Sequence, residues 1–224
     1  MDKVIFTNCG LLGDMFLCLP VLSWYFKTYG VKPIFGVSRH FNYAETAEEI
    51  LSMQECIGKV VYFDWIPENY QCGAQPYKIN RNAFSEEYKD YKIYSLGFHS
   101  WPNKYIPEFY AEEYSLGVDY NFVLNYGGKD YTYKDIDVKV DKYENPQIQF
   151  VDAELLDINN GIVKNLQYAA GAKSITTFTT GFSIMATLSR LPVTIWQRRE
   201  LIEHHKMYFC INNGITERFL EDVR

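Results

Sequence analysis

The sequence lacks the cysteine patterns that indicate a disulfide-rich or zinc-binding protein. Its five cysteines are an odd number, and no two of them have C-x-x-C spacing. We therefore expect reduced thiols and a cytoplasmic location rather than a disulfide framework. The sequence also lacks the pattern of a secretory signal peptide, because Asp2 and Lys3 lead directly into a strand-like run.

Long apolar runs and a basic excess are missing as well. The longest apolar stretch, residues 15–26, is shorter than the about 20 residues that a membrane-spanning helix needs, so no transmembrane segment is predicted. Lys and Arg are scattered along the chain and the net charge is −6, which disfavours a general nucleic-acid binder. A local groove with a positive patch stays compatible with this composition.

The composition itself is that of a folded globular protein. Of the 224 residues, 47% are hydrophobic and 22% charged, and the length allows one large domain or two small ones. Tyr, Phe and Trp are abundant, which indicates either a Tyr-rich core and surface or a stacking surface for sugars or bases. Composition alone favours the first interpretation.

Strands and helices alternate in two parts of the chain. Residues 4–64 show strand, helix, strand, helix and strand, and Gly30 is expected to end a first helix over 14–29. Residues 148–196 show a similar alternation, with strands predicted at 148–152, 174–178 and 192–196 and helices at 161–170 and 181–190. Such alternation is typical of α/β proteins with parallel sheets.

Between these two parts lie a long polar segment and a candidate domain boundary. Residues 66–90 are predicted to form a long surface loop, of the kind that often serves as a functional lid. A further strand at 91–96 and a helix at 104–115 are expected after it. The polar run that begins at Gly127 and Gly128 predicts the boundary, with domains of residues 1–127 and 128–224.

The first motif that suggests chemistry is Gly10-Leu-Leu-Gly13-Asp14, between the first predicted strand and helix. In an open parallel sheet the ligand crevice lies at the carboxyl ends of the strands, so this turn is well placed for a functional Asp. Asp14 is either an N-cap that accepts backbone N–H groups or a catalytic carboxylate, and position alone gives both equal weight. The turn is not a dinucleotide fingerprint, because G-x-G-x-x-G is absent.

The second motif spans residues 176–183, TTFTTGFS, between a predicted strand and helix. Hydroxyl groups, a permissive glycine and the free N–H groups of a helix start favour a bound phosphate. Alternatively, β-branched threonines only build the strand and cap the helix. The first two threonines fit that alternative well, whereas Thr180, Gly181 and Ser183 fit it less well.

Taken together, these segments resemble the heptosyltransferase family, which builds lipopolysaccharide cores from ADP-heptose. That family opens with a strand, a turn ending in Gly-Asp, and a helix with a proline six residues after the Asp; Gly13, Asp14 and Pro20 match this spacing. Residues 104–117 look like its mid-chain helix ending in Leu-Gly. Its second lobe has a strand, Asp-Thr-Gly, a helix of small apolar residues and a Pro-Val strand. Residues 172–196 follow that course through Thr180, Gly181, Ala186, Pro192 and Val193.

The chain departs from the family pattern in its second half. Thr179 stands where the family has its Asp, and Ile184 stands where it usually has a His. The stretch that begins the family's second lobe, with a basic phosphate-binding residue, is missing. The resemblance therefore leaves the sugar and the nucleotide open.

The resemblance implies an α/β fold with two Rossmann-like lobes of the GT-B type, the second of them reduced. Residues 1–127 would form the acceptor lobe and residues 128–224 the nucleotide-sugar-binding lobe. The implied reaction is inverting sugar transfer without a metal or a cofactor, in which Asp14 is the base that deprotonates an acceptor hydroxyl. The implied donor-binding residues are Thr179, Thr180, Gly181, Ser183 and Arg198, and the acceptor-side residues are Gly13, His99 and Trp101.

The less specific of these assignments have plain alternatives. Arg198 follows a predicted strand, where it either faces a diphosphate or begins a solvated helix. His99 and Trp101 lie in a loop after the fourth strand, where a partly buried Trp is the simpler interpretation. No metal site is predicted, because the adjacent histidines 204–205 point in different directions on a helix and the Asp-x-Asp triplet 135–137 lies in a polar stretch.

Two acceptor classes and one alternative function stay open. The acceptor is either a glycan or a hydroxymethylated DNA base, as in virus-encoded DNA modification. The Tyr- and Asn-rich composition and the small size favour a phage protein, whereas the acidic charge disfavours DNA. The alternative is a non-catalytic nucleotide-sugar-binding protein. The sequence leaves the oligomeric state undetermined.

Overall fold

The computed structural model describes residues 3–8, 10–39, 45–64, 86–97, 104–140, 153–199 and 215–219. The chain folds into two compact units, Met1–Phe122 and Val123–Arg224, so the division falls just before the Gly127–Gly128 pair. No helix among the described residues is long and apolar enough to cross a membrane. The residues that the sequence singled out but that lie outside the described parts are 66–85, His99, Trp101, 148–152 and the histidines 204–205.

The first unit is built on a parallel sheet in the order β3-β2-β1-β4. Its strands are β1 (Val4–Asn8), β2 (Ile34–Ser38), β3 (Lys59–Phe63) and β4 (Lys92–Ser95). Its helices are α1 (Leu12–Leu17), α2 (Leu19–Tyr29), α3 (Glu48–Ser52) and α4 (Ile106–Glu112). β1 is central and buried along its whole length, as expected for a parallel strand covered on both faces. Phe6 of β1 lies between Phe35 and Tyr94 of its two neighbours.

The single helix predicted for residues 14–29 is wrong in one respect, because the chain forms two helices there. α1 begins at Leu12 and ends at Leu17, and α2 begins at Leu19. The break is explained by Pro20, which has no N–H to donate within a continuous helix but is well tolerated in the first turn of α2. Gly30 ends α2 as predicted, in the left-handed conformation with φ 67°.

The second unit is built on another parallel sheet, in the order β6-β5-β7-β8-β9. Its strands are β5 (Asp137–Lys139), β6 (Glu154–Leu155), β7 (Ser174–Phe178), β8 (Val193–Gln197) and β9 (Ile215–Phe219). Its helices are α5 (Ile162–Gly171) and α6 (Gly181–Leu188). The bounds of β7 are those predicted from the sequence. Within each sheet the strands are parallel, and along the chain they alternate with helices. This confirms the α/β class with two Rossmann-like units.

Three strands of the second sheet lie outside the strands predicted from the sequence. β6 follows residues 148–152, where a strand was expected. β5 lies within the stretch taken for a polar boundary run, and β9 lies where no element was expected. β5 has a single buried apolar residue, Val138, between Asp137 and Lys139, so it is too short and too polar to show alternation. Asp137 instead bonds to Lys173 and Ser174 at the start of the neighbouring strand. The last residue of the Asp-x-Asp triplet, Asp137, is therefore the first residue of a sheet strand, and the other two residues precede that strand.

Candidate functional site

The first sheet has a point where the direction of strand addition reverses. β2 and β3 are added on one side of β1, and β4 on the other. In open parallel sheets, ligands bind in the crevice outside the carboxyl ends of the strands at such a point. The turn that carries Gly10, Gly13 and Asp14 leaves the carboxyl end of β1 next to that of β4. The fold therefore places the first motif where a ligand is favoured.

Asp14 is buried in this turn and is only 5% exposed. It is the third residue of α1, and its Oδ2 accepts the N–H of Leu11 at 2.9 Å. Burial raises the pKa of Asp14 to about 7, although the Leu11 hydrogen bond lowers it. A carboxyl group that titrates near neutral pH has the proton affinity that a general base needs at that pH.

The structure shows how far the first interpretation of Asp14, as a helix cap, applies. Asp14 does accept a backbone N–H, but the N-cap position itself is occupied by Leu11. The bond uses Oδ2, and Oδ1 makes no hydrogen bond to the described residues. Gly13 lies beside Asp14 in the first turn of α1, where it is buried.

Asn8 and Gly10 hold the turn around Asp14. Asn8, the buried last residue of β1, accepts the Gly10 N–H on Oδ1 at 2.7 Å and donates from Nδ2 to the Leu96 carbonyl at 2.8 Å. A Cβ on Gly10 would lie 2.5 Å from the Asp14 Cβ and 2.7 Å from its Oδ2. Asn8 is absent from the residues selected by sequence. The available signal was an Asn two residues before a turn glycine, which is typical of an Asx-turn.

The second sheet reverses its direction of strand addition between β5 and β7. The turn from β7 to α6 therefore leaves the sheet at the corresponding point of the second unit. Thr180 is the N-cap of α6, with extended backbone, and its hydroxyl oxygen is buried without a hydrogen bond to the described residues. The second motif thus has the placement that the ligand rule requires.

Ser183 shapes this turn from within. Its residue is fully buried, and its Oγ accepts the Thr180 N–H at 2.9 Å and donates to the Thr180 carbonyl at 2.7 Å. Ser183 therefore holds the backbone of the turn with the hydroxyl that was expected to bind the donor. Thr179 is exposed and Gly181 is half-buried at the first position of α6.

Of the remaining predicted residues, the structure describes Arg198 but not His99 or Trp101. Arg198 is exposed and follows β8, the strand that pairs with β7. His99 and Trp101 belong to the parts of the chain that the structure leaves undescribed. Within the described residues, no group of three or more His, Cys, Asp and Glu side chains could hold a metal ion.

No protein-family model and no curated protein matches this sequence. Solved structures do share its fold. The family 9 glycosyl transferase from Veillonella parvula DSM 2008 aligns with a TM-score of 0.65 at 9% identity, over 99% of this chain and 87% of that one. The E. coli heptosyltransferase WaaC with ADP aligns with a TM-score of 0.60 at 11% identity, over 97% of this chain and 93% of that one. The chain is therefore similar in fold to GT-B glycosyltransferases, as the resemblance to heptosyltransferases implied.

Proposed function

We propose that the protein is a glycosyltransferase that moves a sugar from a nucleotide-activated donor to an acceptor hydroxyl. Asp14 carries this proposal, as a buried carboxyl with a pKa near 7 at the ligand-binding edge of a parallel sheet. The fold likeness to solved glycosyltransferases supports the same class of reaction.

In the proposed reaction Asp14 takes the proton of the acceptor hydroxyl. The acceptor oxygen forms a bond to the anomeric carbon from the face opposite the nucleotide. The bond from that carbon to the diphosphate breaks, and its electron pair leaves with the nucleoside diphosphate. One displacement inverts the anomeric configuration, and the proton stays on Asp14 until solvent removes it.

The turn from β7 to α6 is the proposed site for the donor diphosphate. The first N–H groups of α6 and its dipole favour an anion, and Gly181 lets the backbone approach phosphate closely. The buried hydroxyl of Thr180 supports this assignment, because a buried polar atom without a hydrogen-bond partner is unfavourable and a bound phosphate would supply that partner. Thr179 and Arg198 would contribute further donors, and Ser183 would hold the turn. These groups together would balance the developing charge without a metal.

A saccharide is the acceptor class that the charge of the chain favours. A net charge of −6 opposes the approach of a polyanion such as DNA, so a hydroxymethylated DNA base is the second acceptor to test. A protein that only binds nucleotide sugars would need the α6 turn but not a proton acceptor at Asp14. The chemistry at Asp14 therefore separates an enzyme from a binding protein.

The test is the substitution Asp14→Asn, assayed with a panel of nucleotide sugars and with saccharide and hydroxymethylated-DNA acceptors. Asn keeps an oxygen for the Leu11 N–H but accepts no proton, so transfer should fall about 10²–10⁴-fold while donor binding is kept. Asp119→Asn is the matched control, because it also alters a mostly buried carboxylate of the first unit. Unchanged turnover in Asp14→Asn would remove Asp14 from the mechanism.

A further inference from the structure

We propose that Asn8 is a positioning residue for Asp14, because its side chain ties the turn between β1 and α1 to the carboxyl end of β4. The inference rests on the proposed role of Asp14 as the base. Asn8 itself would touch neither the sugar nor the acceptor; it would act through the backbone of the turn.

The Asn8 amide uses both of its ends in this connection. Its oxygen accepts the Gly10 N–H at 2.7 Å, and its nitrogen donates to the Leu96 carbonyl at 2.8 Å. The side chain is 4% exposed, so these bonds are made away from bulk water. One side chain therefore joins the turn to a segment 88 residues later in the chain.

The turn between β1 and α1 determines where the Asp14 carboxylate lies. Gly10 packs so closely against Asp14 that a single added carbon would lie within 2.7 Å of Oδ2. The next N–H along the chain, that of Leu11, is the donor to Oδ2. A shift of the peptide between Gly10 and Leu11 would therefore change both the packing and the hydrogen bond that orient the carboxylate.

An amide is the side chain that suits this position. It offers an acceptor and a donor on one planar group, whereas a carboxylate offers only acceptors. Asp at position 8 would face the Leu96 carbonyl with another oxygen, and Ser would keep an acceptor for the Gly10 N–H but would be too short to reach β4. The two hydrogen bonds of the Asn8 amide therefore need different atoms of the side chain, and substitutions can remove one bond while keeping the other.

Thr7 provides a matched control for this proposal. It is the neighbouring buried residue on β1, and its hydroxyl donates to the Ser95 Oγ of β4 at 3.4 Å. Thr7→Val removes a side-chain bridge between the same two strands without touching the turn. A general loosening of the sheet and a specific loss of turn geometry are therefore separable.

The experiment follows the titration of the Asp14 carboxyl in the full chain by NMR with ¹³C-labelled Asp, the signal being assigned by its loss in Asp14→Asn. Asn8→Ala should admit water to the turn and lower the titration midpoint by about one pH unit or more, because burial is the larger influence on the Asp14 pKa. Asn8→Ser should give a smaller shift, and Thr7→Val none. If Asn8→Ala does not fold, the comparison of Asn8→Ser with Thr7→Val decides.

Transfer rates add a second readout. Asn8→Ala should lower kcat about 10- to 100-fold with the KM for the donor nearly unchanged, since only the acceptor-side base is displaced. An unchanged Asp14 midpoint in the Asn8 variants, or an equal shift in Thr7→Val, would overturn the proposal. Absence of transfer in the wild-type protein would defeat the proposed function alone, because the titration needs no substrate.

Discussion

At the scale of single residues, Asp14 is subject to two opposing influences. The first turn of a helix and a backbone N–H normally favour the charged carboxylate and lower its pKa. Burial favours the neutral acid, and here burial is the larger influence, since the pKa is raised from 3.8 to about 7. The same residue therefore accepts the backbone N–H of the N-cap residue Leu11 and keeps its proton up to neutral pH.

The raised pKa predicts how stability changes with pH. Between about pH 4 and pH 7 the folded protein keeps a proton on Asp14 that the unfolded chain releases, so its contribution to stability falls as pH rises. Above pH 7 the buried charge costs up to about 4 kcal/mol. Asp14→Asn lacks this charge and should be more stable than wild type at pH 8, with a difference that vanishes towards pH 4. Urea unfolding across this pH range measures it.

Asp119 supplies a control of opposite sign. Burial would raise its pKa, but hydrogen bonds from Lys27 and Ser23 outweigh burial and hold the pKa below the usual value. Its contribution to stability is therefore lost as pH falls.

A stability difference between Asp14→Asn and wild type that does not vary with pH would show that Asp14 titrates near its ordinary value. In that case the transfer rate should not rise with a midpoint near pH 7 either.

At the scale of secondary-structure elements, α5 holds the segment that precedes β5. Residues three or four apart on one face of a helix can contact the same partner, and here Lys164, Gln167 and Gly171 do so. Lys164 pairs with the Asp130 carboxylate. The side-chain amide of Gln167 donates to the Tyr126 carbonyl at 3.1 Å, and the backbone carbonyl of Gln167 accepts the Asp130 N–H at 3.0 Å. These contacts attach the polar stretch that precedes β5 to the helix.

The contact at Gly171 gives a prediction for this element. A Cβ there would lie 1.8 Å from the Asp130 carbonyl oxygen, which is backbone and cannot rotate away. Gly171→Ala should therefore lower the free energy of unfolding by at least about 2 kcal/mol. Gly30→Ala is the control: it has open space around it but a φ of +67°, so backbone strain of about 1 kcal/mol is expected. A smaller loss for Gly171→Ala than for Gly30→Ala in urea unfolding would contradict the contact.

At the scale of the whole molecule, each of the two units has one reversal in its strand order and one candidate functional turn next to it. Asp14 belongs to the first unit, and the turn from β7 to α6 belongs to the second. This repetition supports a division of labour, with the acceptor in the first unit and the donor in the second. That division, including the domain roles assigned to 1–127 and 128–224, stays a prediction.

Hydrogen exchange of the full chain with a panel of nucleoside diphosphates tests the division. Bound diphosphate should slow the exchange of backbone amides in the first turn of α6, residues 181–184, and leave the turn at 10–14 unaffected. Gly181→Val should abolish this protection, because its side chain occupies the space that phosphate needs. Asp14→Asn should keep it. Protection confined to residues 10–14 would exchange the roles of the two units.

Much of this molecule is determined by local sequence. The α/β class, the bounds of β7, the end of α2 at Gly30 and the turn that carries Asp14 all follow from short apolar runs and from glycine at helix ends. The order of the strands, the place of β5 inside the second sheet and the pKa of Asp14 were decided only by tertiary structure. Strand pairing and burial depend on partners far along the chain, such as Asn8 and Leu96, and periodicity within a short window carries no information about those partners.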